Sequence, residues 1–453
     1  MNADLLKSGL RCAVASLIVS LLSRSFHAEA MDLSTAVERA KSNDPIFQAA
    51  RLQRDALAEK LPQALSSLRP GIHLRAGANK QSGHAAFGDD PHVARSANSS
   101  HWSIQLTQVI WNRSLKLGVD QADAQVRLAE EQFRLAEQDL LVRVTQAYLE
   151  AGIAKENTGV IAAQAKAVCE QLTLAERNFD AGLSTITDVH EARSRRNLVE
   201  AQQASAQIEL ENKTAELERI LGDSPLEPKR LDHGQLLPKI ELPTAFHWID
   251  EARQQAPQVR LQQLQAEIAG WELQRAKAAH GPTMELTASY GGNRSHGSLA
   301  TPADITSRSR SAQMGLQLNI PLYSGGLDSR TREAALLRQK ADQDLEAARR
   351  AAATAARQAL SALQNGQSQV AALTSAVAAS RASLESNRVG YRIGTRINVD
   401  VLNAQQQLFA AERDLYRARV DWLLAGLRLK AATGSLGNAD LAAIDSLLIS
   451  SAQ

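Results

Sequence analysis

The chain is two copies of one unit laid in tandem at a single fixed offset. Pro45 and Pro257 stand 212 positions apart (257 − 45), and the same offset links Pro70 with Pro282, Leu106 with Leu318, Trp111 with Tyr323 and Gln146 with Gln358. It persists at Phe179 and Tyr391, Gly182 and Gly394, Asp188 and Asp400, and Gly222 and Gly434. Internal repetition sets the architecture before any residue-level reading. This period is far too long for a solenoid, so the chain reads as a duplicated half-protein. The first structural repeat spans residues 31–222 and the second 248–434, joined by a Pro-rich linker at 223–247 and followed by a short C-terminal segment at 435–453.

The bulk numbers narrow the possible partners. With 51 basic and 49 acidic residues the formal charge is +2, which gives no electrostatic reason to expect nucleic acid. Aromatics are only 4% and Ala is abundant, so close packing of thin helices is expected rather than a large mixed core. Residues 1–30 read as a signal peptide: Lys7 and Arg11 form the basic region, 13–22 a short apolar run, and Ala28 and Ala30 the small residues of a cleavage site. That run is too short to span a bilayer as a helix, although a retained anchor is the alternative. Cys12 leaves with the signal, and Cys169 then has no disulfide partner. No later stretch is apolar enough for a transmembrane helix, so any crossing of a membrane must be made by strands.

Proline placement marks the long elements. No proline lies between Pro91 and Pro225, and none follows Pro321. Proline inside a helix costs about 3 kcal/mol, so these windows are free to be helical. Apolar residues recur at 122, 126, 129, 133, 136, 140, 144, 147 and 151, a heptad-like stripe. The second copy reads Ala334, Leu337, Ala341, Leu345, Ala348, Ala352, Ala355, Ala359 and Leu363. A helix from about Arg113 to Asp180 would be roughly 100 Å long at about 1.5 Å per residue. Gly182 breaks it, a second helix runs from about Thr187 to Leu221, and Gly394 repeats the pattern. Such a length suits a spacer or the stave of a tube.

Before each long helix lie two segments of period two: 72–79 and 102–107 in the first repeat, 285–290 and 312–320 in the second. Ile72, Leu74 and Ala76 alternate with His73, Arg75 and Gly77; Trp102, Ile104 and Leu106 with Ser103, Gln105 and Thr107. With their flanks these match tilted transmembrane β-strands, with Trp102 and Tyr290 at the level of an interfacial aromatic girdle. Two soluble hairpins with one wet face are the alternative. The polar segments 80–101 and 291–311 are expected as loops. Four strands cannot close a barrel, and an open edge in hydrocarbon leaves backbone groups unsatisfied. Copies must therefore share one barrel, eight strands from a dimer or twelve from a trimer, and the small or polar inward residues favour an open lumen.

At this point the pattern resembles the TolC family of outer-membrane channel-tunnels over essentially the whole mature chain. The segments that carry the resemblance are Asn178-Phe179-Asp180-Ala181-Gly182-Leu183 leading to Ile186-Thr187-Asp188-Val189, and Gly390-Tyr391-Arg392-Ile393-Gly394-Thr395-Arg396 leading to Val399-Asp400-Val401-Leu402. Leu106-Thr107-Gln108 and Ile320-Pro321-Leu322-Tyr323-Ser324-Gly325-Gly326 are similar as well. The resemblance implies a mixed membrane α+β fold: a homotrimer whose chains each contribute four strands to a twelve-stranded barrel in outer-membrane lipid, continued by a long periplasmic α-helical barrel. It places the linker, and the C-terminal segment unless that is disordered, at the equator of the helical barrel. It implies a periplasmic membrane-fusion adaptor and an inner-membrane ABC or proton-driven transporter as partners.

The resemblance also assigns a site. Gly182, Leu183, Gly394 and Thr395 match the adaptor-contacting tips. Thr187, Asp188, Tyr391, Arg396, Asp400 and Asn403 match the periplasmic gate, where Tyr391 would bond Asp188 and Arg396 would bond Thr187. Asp400 matches the first acidic residue of the ring at the closed entrance, and three copies around one axis would favour a cation. Asn403 stands at the second acidic position, a departure that weakens that expectation. The plainer reading is helix capping, since Thr187, Asp188 and Asp400 lie near helix starts. Both roles can coexist.

Ten histidines show no metal-ligand spacing, the Gly-rich stretch 291–297 precedes no helix with phosphate-loop spacing, and no catalytic constellation is visible. No cofactor and no enzymatic activity are expected. The expected function is the outer-membrane exit duct of a tripartite export system, secreting an unfolded protein such as a toxin or protease by the type I route. A multidrug or small-solute efflux outlet is the alternative, and a periplasmic coiled-coil adaptor without a channel a more distant one.

Overall fold

The computed structural model describes residues 30–88, 91–222, 227–232, 245–301 and 303–449. The expected signal peptide lies outside them except for Ala30, as does most of the linker. The helices are α1 Leu33–Asn43, α2 Pro45–Ala58, α3 Lys60–Ser66, α4 Arg113–Asp180, α5 Ile186–Leu221, α6 Ala245–Gln255, α7 Pro257–Ala278, α8 Gly325–Arg392, α9 Asn398–Thr433 and α10 Asn438–Asp445. The strands are β1 Ala30–Met31, β2 Gly71–Ala85, β3 Val93–Asn112, β4 Glu227–Pro228, β5 Arg230–Leu231, β6 Thr283–His296, β7 Thr306–Asn319 and β8 Leu448–Ile449.

The duplication is reproduced to the residue in the four longest helices. Both α4 and α8 have 68 residues, both α5 and α9 have 36, and each pair starts at the 212-residue offset. Proline-free windows supply the length and glycine supplies the stops. Gly182, Gly222, Gly394 and Gly434 all adopt positive φ, between +76° and +79°, where an L side chain is disfavoured.

The chain divides into two compact units. One comprises Ala49–Ala136 and Phe246–Ala356, and its centre is a four-stranded antiparallel sheet in the order β2-β3-β6-β7. Register puts Ile72, Leu106, Ala288 and Met314 in one row, and Leu74, Ile104, Tyr290 and Ala312 in the next. The offset rows, His73-Gln105-Ser289-Gln313 and Gly71-Thr107-Thr287-Gly315, face the other way. One face is thus apolar across all four strands and the other polar, since alternate residues point to opposite faces. The apolar face is largely uncovered by the described residues of this unit: Leu74 is 70% and Met314 74% exposed. A register shift between Val109 and Trp111 sets Trp111 opposite Met284, on the apolar face.

The strands run well beyond the expected segments. β2 has 15 residues and β3 has 20, so most of 80–101, expected as loop, is paired hairpin. Much of 291–311 is paired in the same way, in β6 and β7. Asn79 pairs with Ser99 and Ser82 with Ser96. Backbone pairing does not require an apolar face, and a stretch wet on both sides carries no alternation to read. In this unit α7 and α8 pack through Ala256, Val259 and Ala352, the close approach that small residues allow. The stripe expected on α8 holds at Ala352 and Leu363, which are buried, but between them Ala355 is exposed and Ala359 half-buried, with Ala356 and Leu360 buried in their place. Steps of three and four can be taken in either order over these turns and still return to one face.

The other unit comprises Met1–Gln48, Glu137–Ala245 and Arg357–Gln453. In it α4 pairs with α5 through Ile161, Val168, Leu172, Ala175, Val189, Ala192 and Val199, and α8 pairs with α9 through Val377, Leu384, Val401, Ala404 and Leu408. The segment 435–453 is ordered over α10 and β8, and the Leu33 N–H donates to Asp445 Oδ1 at 3.0 Å. Two buried tyrosines hold the described part of the linker. The Tyr148 hydroxyl donates to the Met31 carbonyl (2.6 Å) and accepts from the Lys229 N–H (2.8 Å). The Tyr416 hydroxyl accepts from the Leu231 N–H at 3.0 Å.

Candidate functional site at the helical tips

The two helix-turn-helix tips are built alike. After α4, the Leu183 N–H donates to Asn178 O (2.7 Å) and the Gly182 N–H to Phe179 O (2.9 Å). After α8, the Thr395 N–H donates to Gly390 O (2.9 Å) and the Gly394 N–H to Tyr391 O (3.1 Å). This nested pair of bonds around a left-handed glycine is the Schellman arrangement, which satisfies the last carbonyls of the helix. Leu183 is left 78% exposed at the turn. Nothing lies within 4 Å of a Cβ added at Gly182 or Gly394, so space is free and backbone conformation is the whole cost. Gly182→Ala or Gly394→Ala should therefore weaken its own tip by about 1–2 kcal/mol. Hydrogen exchange should rise in the adjoining turns and stay unchanged around Tyr148; a uniform rise across the chain would contradict this local account.

At the start of each helix that leaves a tip, the acid at its third position reaches back to the N-cap amide. Asp188 Oδ2 accepts from the Thr185 N–H (3.2 Å) and the Thr185 hydroxyl (3.1 Å). Asp400 Oδ2 accepts from the Ile397 N–H at 3.4 Å. Both acids thus satisfy amides that a helix start leaves orphaned, at the positive end of its dipole. Within the chain Tyr391 is partnered by Asn178, whose Nδ2 donates to the hydroxyl at 3.1 Å. Arg396 Nη1 lies 3.7 Å from Asp400 Oδ2, with the arginine side chain 59% exposed. Thr187 is exposed at the first turn of α5. The structure thus brings Arg396 to Asp400 and Tyr391 to Asn178, rather than Arg396 to Thr187 and Tyr391 to Asp188. The close approach of Arg396 depends on Gly390, where an added Cβ would meet Arg396 Cγ at 2.7 Å.

Four further residues, Gln171, Arg195, Asn398 and Gln406, tie the two hairpins together, and sequence reading did not mark them. Asn398, the first residue of α9, is fully buried, and its Oδ1 accepts from Gln171 Nε2 at 2.5 Å. Asn398 Nδ2 donates to the Asp188 carbonyl at 3.4 Å. One side chain therefore joins α4, α5 and α9. Arg195 on α5 donates to Asn403 Oδ1 (2.7 Å) and Gln406 Oε1 (2.6 Å) on α9. Asn403 thus has a local role: it is a neutral acceptor for an arginine of the neighbouring hairpin.

Comparison with known proteins places the chain. The family model described as "Outer membrane efflux protein" matches residues 36–223 and 248–435. Outer membrane protein TolC of Vibrio cholerae serotype O1 is 30% identical over 429 residues, 94% of this chain and 95% of that protein. Proteases secretion protein PrtF of Dickeya chrysanthemi is 29% identical over 439 residues, 95% of this chain and 94% of PrtF. A solved structure of CusC, a protein studied for transmembrane channel formation, superposes with a TM-score of 0.75 at 18% identity, covering 90% of this chain and 93% of that one. That likeness shows the channel-tunnel fold, and the family match covers both repeats. The chain belongs to the outer membrane efflux protein family and is a TolC-like protein of the Gram-negative outer membrane that extends into the periplasm.

Proposed function

We propose that the protein is a homotrimeric exit duct that carries an unfolded protein, such as a toxin or protease, out of the cell in a type I secretion system. The observation that carries this reading is the four-stranded sheet, apolar on one face, polar on the other, with β2 and β7 as open edges. In hydrocarbon each unpaired backbone group costs several kcal/mol, so β7 of one copy must pair with β2 of the next. Three copies give twelve strands and a water-filled lumen lined by His73, Gln105, Ser289 and Gln313. Energy comes from an inner-membrane transporter, reached through a periplasmic adaptor; the duct itself is passive and catalyses nothing.

In this reading Gly182, Leu183, Gly394 and Thr395 present the tips to the adaptor. Thr187, Asp188, Tyr391, Arg396, Asp400 and Asn403 hold the entrance, with the Asp400 carboxylates of three copies around its axis. Type I secretion is favoured over drug efflux by full-length similarity to a protease secretion protein. Efflux is the second reading, favoured by the description of the family model that matches both repeats, an outer membrane efflux protein.

Expression in a host that lacks its own secretion duct, together with a protease-secreting transporter and adaptor, separates the two. Secreted protease activity is the expected outcome, with a trimer by native mass spectrometry of detergent-extracted protein. Restored resistance to small toxic solutes without secreted protease would favour efflux. A monomer that leaves the membrane in alkali would sink both.

A further inference from the structure

The apolar face of the sheet ends abruptly on a row of arginines. From Leu318 to Arg310 β7 runs eight residues, about 27 Å of strand, or roughly 20 Å of membrane height at a tilt of about 40°. That is close to a full apolar band, so Arg310 stands at its edge, on the side of the hairpin ends. The register row there is Ala76-Trp102-Gly292-Arg310, and the next row on the same face is Ala78-Ser100-Arg294-Arg308. Arg294 and Arg308 are thus directly opposed across two strands, an arrangement that like charges destabilise.

None of the three arginines has a carboxylate partner among the described residues. β2, β3, β6 and β7 together contain one carboxylate, Glu285, which lies on the polar face near the other end of the sheet. Closing the barrel does not change this, because the edge strand that a second copy would bring, β2, contains no acidic residue. The counter-anion must come from outside the sheet.

The same place is a formed concavity. A pocket of about 460 Å³ is lined by Ser100, Trp102, Gly292, Arg294, Arg308 and Arg310. Trp102 and Tyr290 pack edge to face beside it, with centroids 5.5 Å apart. Gly292 holds it open: a Cβ there would lie 2.9 Å from the indole Nε1. Aromatic rings at the edge of an apolar band mark the depth of lipid headgroups, and guanidinium forks match phosphate oxygens in pairs.

We propose that Arg294, Arg308 and Arg310 form a binding site for the phosphate of a lipid headgroup in the outer leaflet, seated against Trp102. The site rests on the membrane-spanning reading of the strands, and its test keeps the two apart. Purified trimers are mixed with diphosphorylated lipid A in detergent and the retained lipid is counted by native mass spectrometry. Wild type and R75Q, a change on the polar face, should retain it equally. The triple variant R294Q/R308Q/R310Q should lose affinity on the order of a hundredfold, about fivefold per arginine. A dephosphorylated glycolipid with the same acyl chains should not be held. Equal retention by the triple variant, equal retention of the dephosphorylated lipid, or displacement by millimolar inorganic phosphate would each overturn the site while wild type stays in alkali-washed membranes. Alkaline release of the wild type itself overturns the membrane reading, and the lipid site with it.

Discussion

Replacing Asn398 with Ala should open the entrance and loosen the tips more than any change to Arg396. The argument is one of burial. Arg396 and Asp400 form a long, half-exposed pair within one helix start, 3.7 Å apart. Pairs of that kind contribute from nothing to about 1 kcal/mol. Asn398 is fully buried and bonded on both sides of its amide, to Gln171 and to the Asp188 carbonyl. Its removal leaves the Gln171 amide buried and unpaired, at about 1–3 kcal/mol per copy. In planar bilayers Asn398→Ala should raise the single-channel conductance of intact trimers, and Arg396→Ser should raise it less. Unchanged conductance with Asn398→Ala would remove this residue from the gate and leave it a structural strut.

Raising the pH above 10 should destabilise the unit that contains Tyr148 and Tyr416, and each Tyr→Phe variant should lose its share of that slope. Burial disfavours the phenolate and pushes Tyr148 well above the ordinary tyrosine range, against the lowering effect of the Lys229 N–H bond. The same balance pushes Tyr416 up to about 12. A raised folded pKa means that the native state holds its proton where the unfolded chain releases it. Stability is therefore fully present below about pH 10 and falls as pH rises from there through the folded values, by about 1.4 kcal/mol per pH unit for each tyrosine. At neutral pH Tyr148→Phe should cost about 1–3 kcal/mol, because the Met31 carbonyl and the Lys229 N–H both lose a buried partner. Melting temperatures measured from pH 7 to 11.5 check both parts. A wild-type curve that stays flat above pH 10 would mean that neither hydroxyl remains protonated in the fold.

The long helices were legible because their signals are local and agree. Proline is missing over the right windows, Gly182 and Gly394 stop each first helix, and Asp188 and Asp400 cap the next. The strand centres were legible from alternation at Ile72, Leu74, Trp102 and Ile104. Their outer halves were not, because Asn79–Ala85 and Val93–Ser100 pair through backbone alone and carry no apolar face. The turns at Gly182 and Gly394 were legible, but the contact that joins the hairpins was not. Ile397 is 62% exposed and the adjacent Asn398 is buried, the reverse of what side-chain polarity suggests. A polar residue at a seam between hairpins looks like helix surface until its partner, Gln171, is known. The Arg195 bridge to Asn403 was hidden for the same reason: its two ends are far apart in the chain, and no spacing rule connects them.

The two hairpins share length and turn, yet equivalent positions have diverged, and two of these matter most. Asn178 in one corresponds to Gly390 in the other, and Ile186 to Asn398. An iris of six interchangeable leaves would dilate evenly. Here the leaves come in two kinds, and the second kind carries both the fold-over of Arg396 and the amide that latches onto its neighbour. In the proposed trimer, unlatching would need a grip on three such hairpins, not six, so a docking protein that engaged one kind alone would commit the whole aperture.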